Sequence, residues 1–153
     1  MKAKDIMTKE VISLSPEMMA SDALDFLQRR AISGLPVLNT DKKLVGMFTE
    51  KEVIAAILPS YVEKVGTFAY AGNSKAINSK IHAFNSMKVK DVMRKDVVTV
   101  DEDTSIYEIV RIMLTQKIRR LVVLNKVKDV VGLIARGDVV RVLFREQLYG
   151  YKQ

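Results

Sequence analysis

The chain has 153 residues, 48% hydrophobic and 28% charged, with a net charge of +7 and no cysteine. That length suits one ordinary domain or two small halves sharing a core. The missing cysteine excludes disulfides, thiolate chemistry and cysteine zinc sites. No apolar run approaches the ~20 residues of a membrane span, and the first five residues lack a signal-peptide core, so a cytoplasmic protein is expected.

Val11, Ile12, Ser13 and Leu14 form a short β-prone run. Ser15-Pro16-Glu17 predicts a helix start, with Ser as N-cap, Pro at the first helical position and an acid in the first turn. Ala20, Ala23, Leu24 and Leu27 carry the spacing of a helix with one buried face. Ser33-Gly34 breaks that helix, and Leu35-Pro36-Val37-Leu38 is a strand with Pro near its start. After the polar turn 39–43 a second strand runs from Leu44 to Phe48. Gly46 within it signals close approach by another backbone or a ligand. Thr49-Glu50-Lys51-Glu52 opens a helix that Pro59 ends.

Residues 59–88 come next, with Tyr61, Phe68, Tyr70, Phe84, the lone His82 and a turn signal at Ala71, Gly72 and Asn73. A connection this long has structure of its own or serves a function. A helical linker covering the sheet is expected, with a dimer contact or a lid as the sharper alternative.

The first pattern then returns. Lys4-Asp5-Ile6-Met7 reappears as Lys90-Asp91-Val92-Met93, a shift of 86 residues. At that shift Leu35-Pro36-Val37-Leu38-Asn39 falls on Leu121-Val122-Val123-Leu124-Asn125, and Leu44-Val45-Gly46-Met47-Phe48 on Val130-Val131-Gly132-Leu133-Ile134. The second copy predicts a strand at 96–100, acids at a helix start in Asp101-Glu102-Asp103, a buried stripe of Ile106, Ile109, Val110 and Met113, two strands, and a closing helix at 137–144. Each copy is β-α-β-β-α, one supersecondary unit built twice. Duplicated units create related clefts between their halves, where ligands bind.

Charge is uneven. Residues 111–145 hold nine basic side chains against Asp129 and Asp138 alone. This points to an anion: a nucleotide phosphate, a nucleic acid or an acidic protein. The competing reading is a solvated surface.

The unit order, Ile32-Ser33-Gly34-Leu35-Pro36-Val37-Leu38 and Leu44-Val45-Gly46-Met47-Phe48-Thr49 together resemble the CBS domain family, and the tandem repeat resembles a CBS pair, or Bateman module. The resemblance implies an α/β (α+β) fold of tandem β-α-β-β-α repeats packed with pseudo-two-fold symmetry. Repeat 1 would occupy 1–58, the inserted linker 59–88, repeat 2 89–146 and a tail 147–153. It also implies a regulatory module rather than an enzyme, with no cofactor or metal. An adenosine-containing ligand (AMP, ADP, ATP or S-adenosylmethionine) would sit in the inter-repeat cleft as an energy or metabolite signal. A homodimer and an effector protein acting in trans are expected, and no membrane.

The family's ribose signature is Gly, two residues, Thr or Ser, two residues, Asp. An ionised carboxylate offers only acceptors and engages two adjacent hydroxyls at once. The first copy has Gly46, Thr49 and Glu52, one methylene too long; the second has Gly132, Ala135 and Asp138, without the hydroxyl. Thr49 and Glu52 also fit a capping box. Asp138 lacks a capping partner in Ala135, and its alternative role is to complement the helix dipole. Arg136 is placed to reach a phosphate. By resemblance, the Asp138 cleft adds Ile12, Ser13, Ser33, Gly34, Leu35 and Pro36. The Glu52 cleft adds Thr99, Val100, Ile118, Arg119, Arg120 and Leu121, with the two arginines on phosphates.

Two alternatives stay open: nucleic-acid binding through 111–145, and a ligand-free dimerisation scaffold. Enzyme chemistry is disfavoured by the absence of cysteine, a lone histidine, and no Gly-rich phosphate loop or metal-ligand spacing.

Overall fold

The computed structural model describes residues 1–58 and 74–149. Its elements are α1 (Ala3–Ile6), α2 (Ala20–Arg29), β1 (Gly34–Leu38), β2 (Leu44–Thr49), α3 (Glu50–Ile57), α4 (Ser74–Phe84), α5 (Val89–Val92), β3 (Thr99–Asp101), α6 (Ile106–Thr115), β4 (Arg120–Leu124), β5 (Val130–Ala135) and α7 (Arg136–Tyr149). The features noted at Tyr61, Phe68, Tyr70, Ala71, Gly72 and Asn73 lie outside the described residues.

Residues 13–96 form one compact unit; residues 1–12 with those from 97 onward form the other. Sequence repeat and compact unit are therefore offset. The opening segment of each copy folds with the other copy. In the second unit, Ala3 and Lys4 donate their N–H groups to the carbonyls of Thr104 and Glu102 (2.8 and 2.9 Å), and Thr8 exchanges both backbone bonds with Leu133 (2.9 and 3.1 Å). In the first, Val89 and Lys90 donate to Met18 and Pro16 (2.8 and 3.0 Å), and Arg94 exchanges both bonds with Met47 (2.9 and 2.9 Å).

Each unit thus has the same small sheet. In 13–96, Leu14 lies parallel beside Val37, β1 pairs antiparallel with β2, and Arg94 closes the far edge. In the other unit β3 runs parallel to β4, β4 pairs antiparallel with β5, and Thr8 closes the edge. The hairpin turns are built alike. The Asn39 side-chain carbonyl accepts the N–H groups of Asp41 and Lys43 (3.0 and 2.9 Å), and Asn125 accepts those of Val127 and Asp129 (3.1 and 2.9 Å).

Helices cover the sheets through the expected apolar stripes. Ala20, Ala23 and Leu27 of α2 meet Val37, Phe48 and Val53, while Ile106, Ile109 and Met113 of α6 meet Leu121, Val123 and Ile134. Removing one such aliphatic or aromatic side chain from water contributes about 1.5–3 kcal/mol. Both helices begin later than predicted. Ser15-Pro16-Glu17 forms a turn, and α2 starts at Ala20. Backbone pairing of Pro16, Met18 and Ala20 with 87–90 draws that stretch out of the helix. Likewise Asp101 ends β3, and Ser105 caps α6 by accepting the Glu108 N–H (3.3 Å).

The strand glycines are explained by the exchanged segments. A Cβ on Gly46 would sit 2.5 Å from the Met93 sulfur and 3.0 Å from the Arg94 carbonyl; one on Gly132 would meet the Met7 side chain, its Cβ at 2.9 Å. The close approach expected at Gly46 comes from the protein's own chain.

Candidate functional site

Asp138 and Glu52 occupy the same place in the two units, the first turn of α7 and of α3. Asp138 folds back so that Oδ2 accepts the Ala135 N–H at 2.8 Å. This corrects the expectation that Ala135 leaves Asp138 without a capping role. The carboxylate half of a capping box needs only a backbone N–H, not a hydroxyl. Among the described residues Oδ1 meets one cation, Arg141 Nη1 at 3.4 Å, and Arg141 is 58% exposed. That contact is long for a charged hydrogen bond.

Glu52 is arranged differently. Thr49 Oγ1 donates to Glu52 Oε2, and Thr49 makes no side-chain bond to a helix amide. The expected capping box is therefore not formed: the hydroxyl is spent on the carboxylate itself. Glu52 Oε1 lies 3.9 Å from Arg94 Nη1, with the Glu52 side chain 11% exposed. Arg94 Nε is buried without a hydrogen-bond partner. Sequence reasoning missed Arg94. Its signal was present: Arg94 stands 86 residues after Thr8, directly after a four-residue motif repeated with one conservative change, Ile6 to Val92.

The departure at Ala135 has a counterpart in the strand register. Gly34 faces Thr49 across β1–β2, and a Cβ on Gly34 would lie 2.6 Å from Thr49 Cγ2. In the second unit the same register sets Arg120 opposite Ala135. A side chain on one strand is matched by a small residue on its partner, so the lost hydroxyl at 135 accompanies the gain of Arg120.

The remaining candidates distribute as follows. Leu35, Pro36, Val100 and Leu121 are buried in their own sheets, so only their backbones are available to a ligand. Ile118 is half-buried against the second core. Ile12, Ser13 and Thr99 are exposed, and Ser33 is half-buried. The carbonyls of Ser33 and Arg119 accept the N–H groups of Glu50 and Arg136, both at 3.0 Å, tying each strand entry to its helix start. Arg119 and Arg136 are exposed neighbours beside the start of α7. Lys126 and Lys128 lie in the turn at the opposite end of the hairpin, about 16 Å away along five strand residues. Arg111 is engaged by Glu108 (2.8 and 2.5 Å). The basic excess is thus divided rather than gathered in one stripe. His82 is exposed on α4. Among the described residues no group of three or more His, Cys, Asp or Glu could hold a metal, and no helix is long and apolar enough to cross a membrane.

The CBS domain model matches residues 3–59 and 89–145. The chain is 31% identical over 140 residues to an inosine-5'-monophosphate dehydrogenase of Methanocaldococcus jannaschii, covering 92% of this chain but 23% of that enzyme. It is 28% identical over 154 residues to an uncharacterised protein of the same organism, covering 94% of this chain and 91% of that one. Among solved structures, CBSX2 of Arabidopsis thaliana in complex with AMP superposes with a TM-score of 0.74 at 24% identity, over 95% of this chain and 98% of that one. A CBS domain pair in complex with 5'-methylthioadenosine and S-adenosyl-L-methionine gives 0.69 at 22% identity, over 94% and 95%. These likenesses establish the fold.

Proposed function

The chain belongs to the CBS domain family, and we propose that it is a regulatory module whose Asp138 binds the ribose of an adenosine-containing ligand: AMP, ADP, ATP or S-adenosylmethionine. Arg136 meets the ligand's charged tail, and so does Arg119, which was expected on the Glu52 side but whose carbonyl accepts the Arg136 N–H. Ligand occupancy then sets the activity of an effector, and the module itself performs no chemistry.

The observation that carries this reading is the way Asp138 is held, with one oxygen on a short bond and the other on a long one. Its Oδ2 is fixed by the Ala135 N–H, which aims the carboxylate, while Oδ1 has only a long contact to an exposed arginine. A carboxylate aimed by one short bond, its other oxygen meeting only the long contact of an exposed arginine among the described residues, suits a pair of vicinal hydroxyls. Arg suits phosphate through its planar fork of donors. Adenosine compounds bound to two solved proteins of this fold support the same ligand class. The separation of Lys126 and Lys128 from Arg119 and Arg136 weighs against an extended nucleic-acid track.

The test is a thermal-shift panel of AMP, ADP, ATP, S-adenosylmethionine and NAD. A ligand at 100 times its Kd stabilises the folded state by about 2.7 kcal/mol. For a chain of this size that raises Tm by about 5–10 °C. One adenosine compound is expected to do so, and Asp138→Asn to remove the shift. A flat panel overturns the reading.

A further inference from the structure

Resting on the adenosine reading, we propose that the Asp138 site sorts adenosine compounds by the charge of their tails: it takes the di- and triphosphate most tightly, AMP less so, and disfavours S-adenosylmethionine. Charge reverses locally between the two copies. At the shift of 86 residues, Arg119, Arg136 and Arg141 stand where the first copy has Ser33, Glu50 and Ala55, while Asp138 and Glu52 keep one sign. Arg120 adds a further cation in place of Gly34. The first copy sets Lys51 and Arg94 against Glu50 and Glu52 and is balanced. The second sets four arginines against one aspartate within a strand entry and a helix start.

Arg136 stands where a cation is unfavourable unless an anion joins it. It is the first residue of α7, where the helix dipole and the unbonded amides favour negative charge. Glu50 obeys that rule at the start of α3, and Arg136 breaks it. Arg119 is its neighbour, with its carbonyl accepting the Arg136 N–H at 3.0 Å. Both side chains are exposed, and among the described residues neither forms an ion pair. Neighbouring like charges at the positive end of a helix repel, and a phosphate chain relieves that repulsion. Each further phosphate brings another anionic group to a guanidinium whose planar fork matches it. The tail of S-adenosylmethionine carries a sulfonium and an ammonium against a single carboxylate, and adds positive charge where the protein already has an excess.

Isothermal titration with AMP, ADP, ATP, S-adenosylmethionine and inorganic tripolyphosphate, without divalent cations, tests the sorting. In wild type at low salt, ATP is expected to bind about 10-fold tighter than AMP or better, with ADP between them and S-adenosylmethionine weakest. Raising the salt from about 0.05 M to 0.5 M should shrink the ratio of ATP to AMP affinity. In the double variant Arg119→Gln, Arg136→Gln that ratio should fall toward one. The same variant, ligand-free, should melt no lower than wild type, since a cation has left the helix start. Should it not melt cooperatively, Arg136→Gln alone is read the same way. ATP and AMP bound alike by wild type, or S-adenosylmethionine bound as tightly as ATP, overturns the sorting and leaves the adenosine reading standing. A preference for ATP unchanged in the variant overturns the assignment to these arginines. Tripolyphosphate bound as tightly as ATP, or no binding of any compound, removes the adenosine reading and the sorting with it.

Discussion

Gly46 and Gly132 hold the same position in β2 and β5, and each lies under the methionine of a segment that arrives from the other sequence copy. A methyl group on either would force that segment away from the strand edge it pairs with. Overpacking of this kind costs about 1–3 kcal/mol, so Gly46→Ala and Gly132→Ala should each lower Tm by about 2–10 °C. The two should be comparable, because each added methyl first meets a methionine sulfur (2.5 Å at Gly46, 2.3 Å at Gly132) and then a less yielding atom, the Arg94 carbonyl at 3.0 Å or the Met7 Cβ at 2.9 Å. Gly137 is the contrast: it sits in α7 and a Cβ there meets nothing within 4 Å. Alanine is a better helix former than glycine by about 1 kcal/mol, so Gly137→Ala should leave Tm unchanged or raise it. Differential scanning calorimetry of the three variants decides it, and a neutral Gly132→Ala would contradict the packing described.

The short helices α1 and α5 show why the Lys-Asp motif is duplicated. In α5, Lys88 and Lys90 clasp Glu17 at 2.8 and 3.0 Å; in α1, Lys4 and Lys2 clasp Asp103 at 2.9 and 3.4 Å. Asp91 and Asp5 close the turns by accepting the N–H groups of Lys88 and Lys2 (2.9 and 2.8 Å). The hydrogen bonds from Lys88 and Lys90 hold the Glu17 carboxyl below its ordinary value, and those from Lys4 and Lys2 do the same for Asp103. A carboxylate lowered in the folded state adds stability that is complete above its ordinary pKa and is lost as pH falls through the lower folded value. Tm should therefore decline on acidification from about pH 5 toward pH 3. Glu17→Gln should flatten part of that decline, and so should high salt, because these pairs are exposed and screened. A Tm profile over that range in which Glu17→Gln and wild type stay parallel would rule out the clasp as a contributor.

Much of the molecule was legible because it is written twice. Strand, helix and turn order follow from periodicity and from the 86-residue shift. The exchange of opening segments was not legible, for a physical reason. Met7 against Gly132 and Met93 against Gly46 have the same sequence signature as Met7 against Gly46 and Met93 against Gly132, so comparison of the copies cannot say which pairing forms. Arg94 stayed hidden for the same reason, since it reaches Glu52 only through that edge pairing. The helix starts were misplaced because Ser15-Pro16-Glu17 satisfies local capping rules, while backbone partners at 87–90 decide the outcome. At the site, Asp138 and Glu52 could be found from the signature. Their different states could not, because they depend on whether the neighbouring hydroxyl folds onto the carboxylate.

The claim at the centre is a contact between the Asp138 carboxylate and ribose hydroxyls, and deoxy ligands measure it directly. Kd for AMP and for 2'-deoxy-AMP should be determined on wild type and on Asp138→Asn. A hydrogen bond to a charged group contributes about 1.5–3 kcal/mol, so wild type should prefer AMP by about 10–150-fold. Asp138→Asn should bind both weakly, with a preference at least several-fold smaller than wild type. A wild-type protein that binds the two equally, or a preference that survives unchanged in Asp138→Asn, would contradict the account.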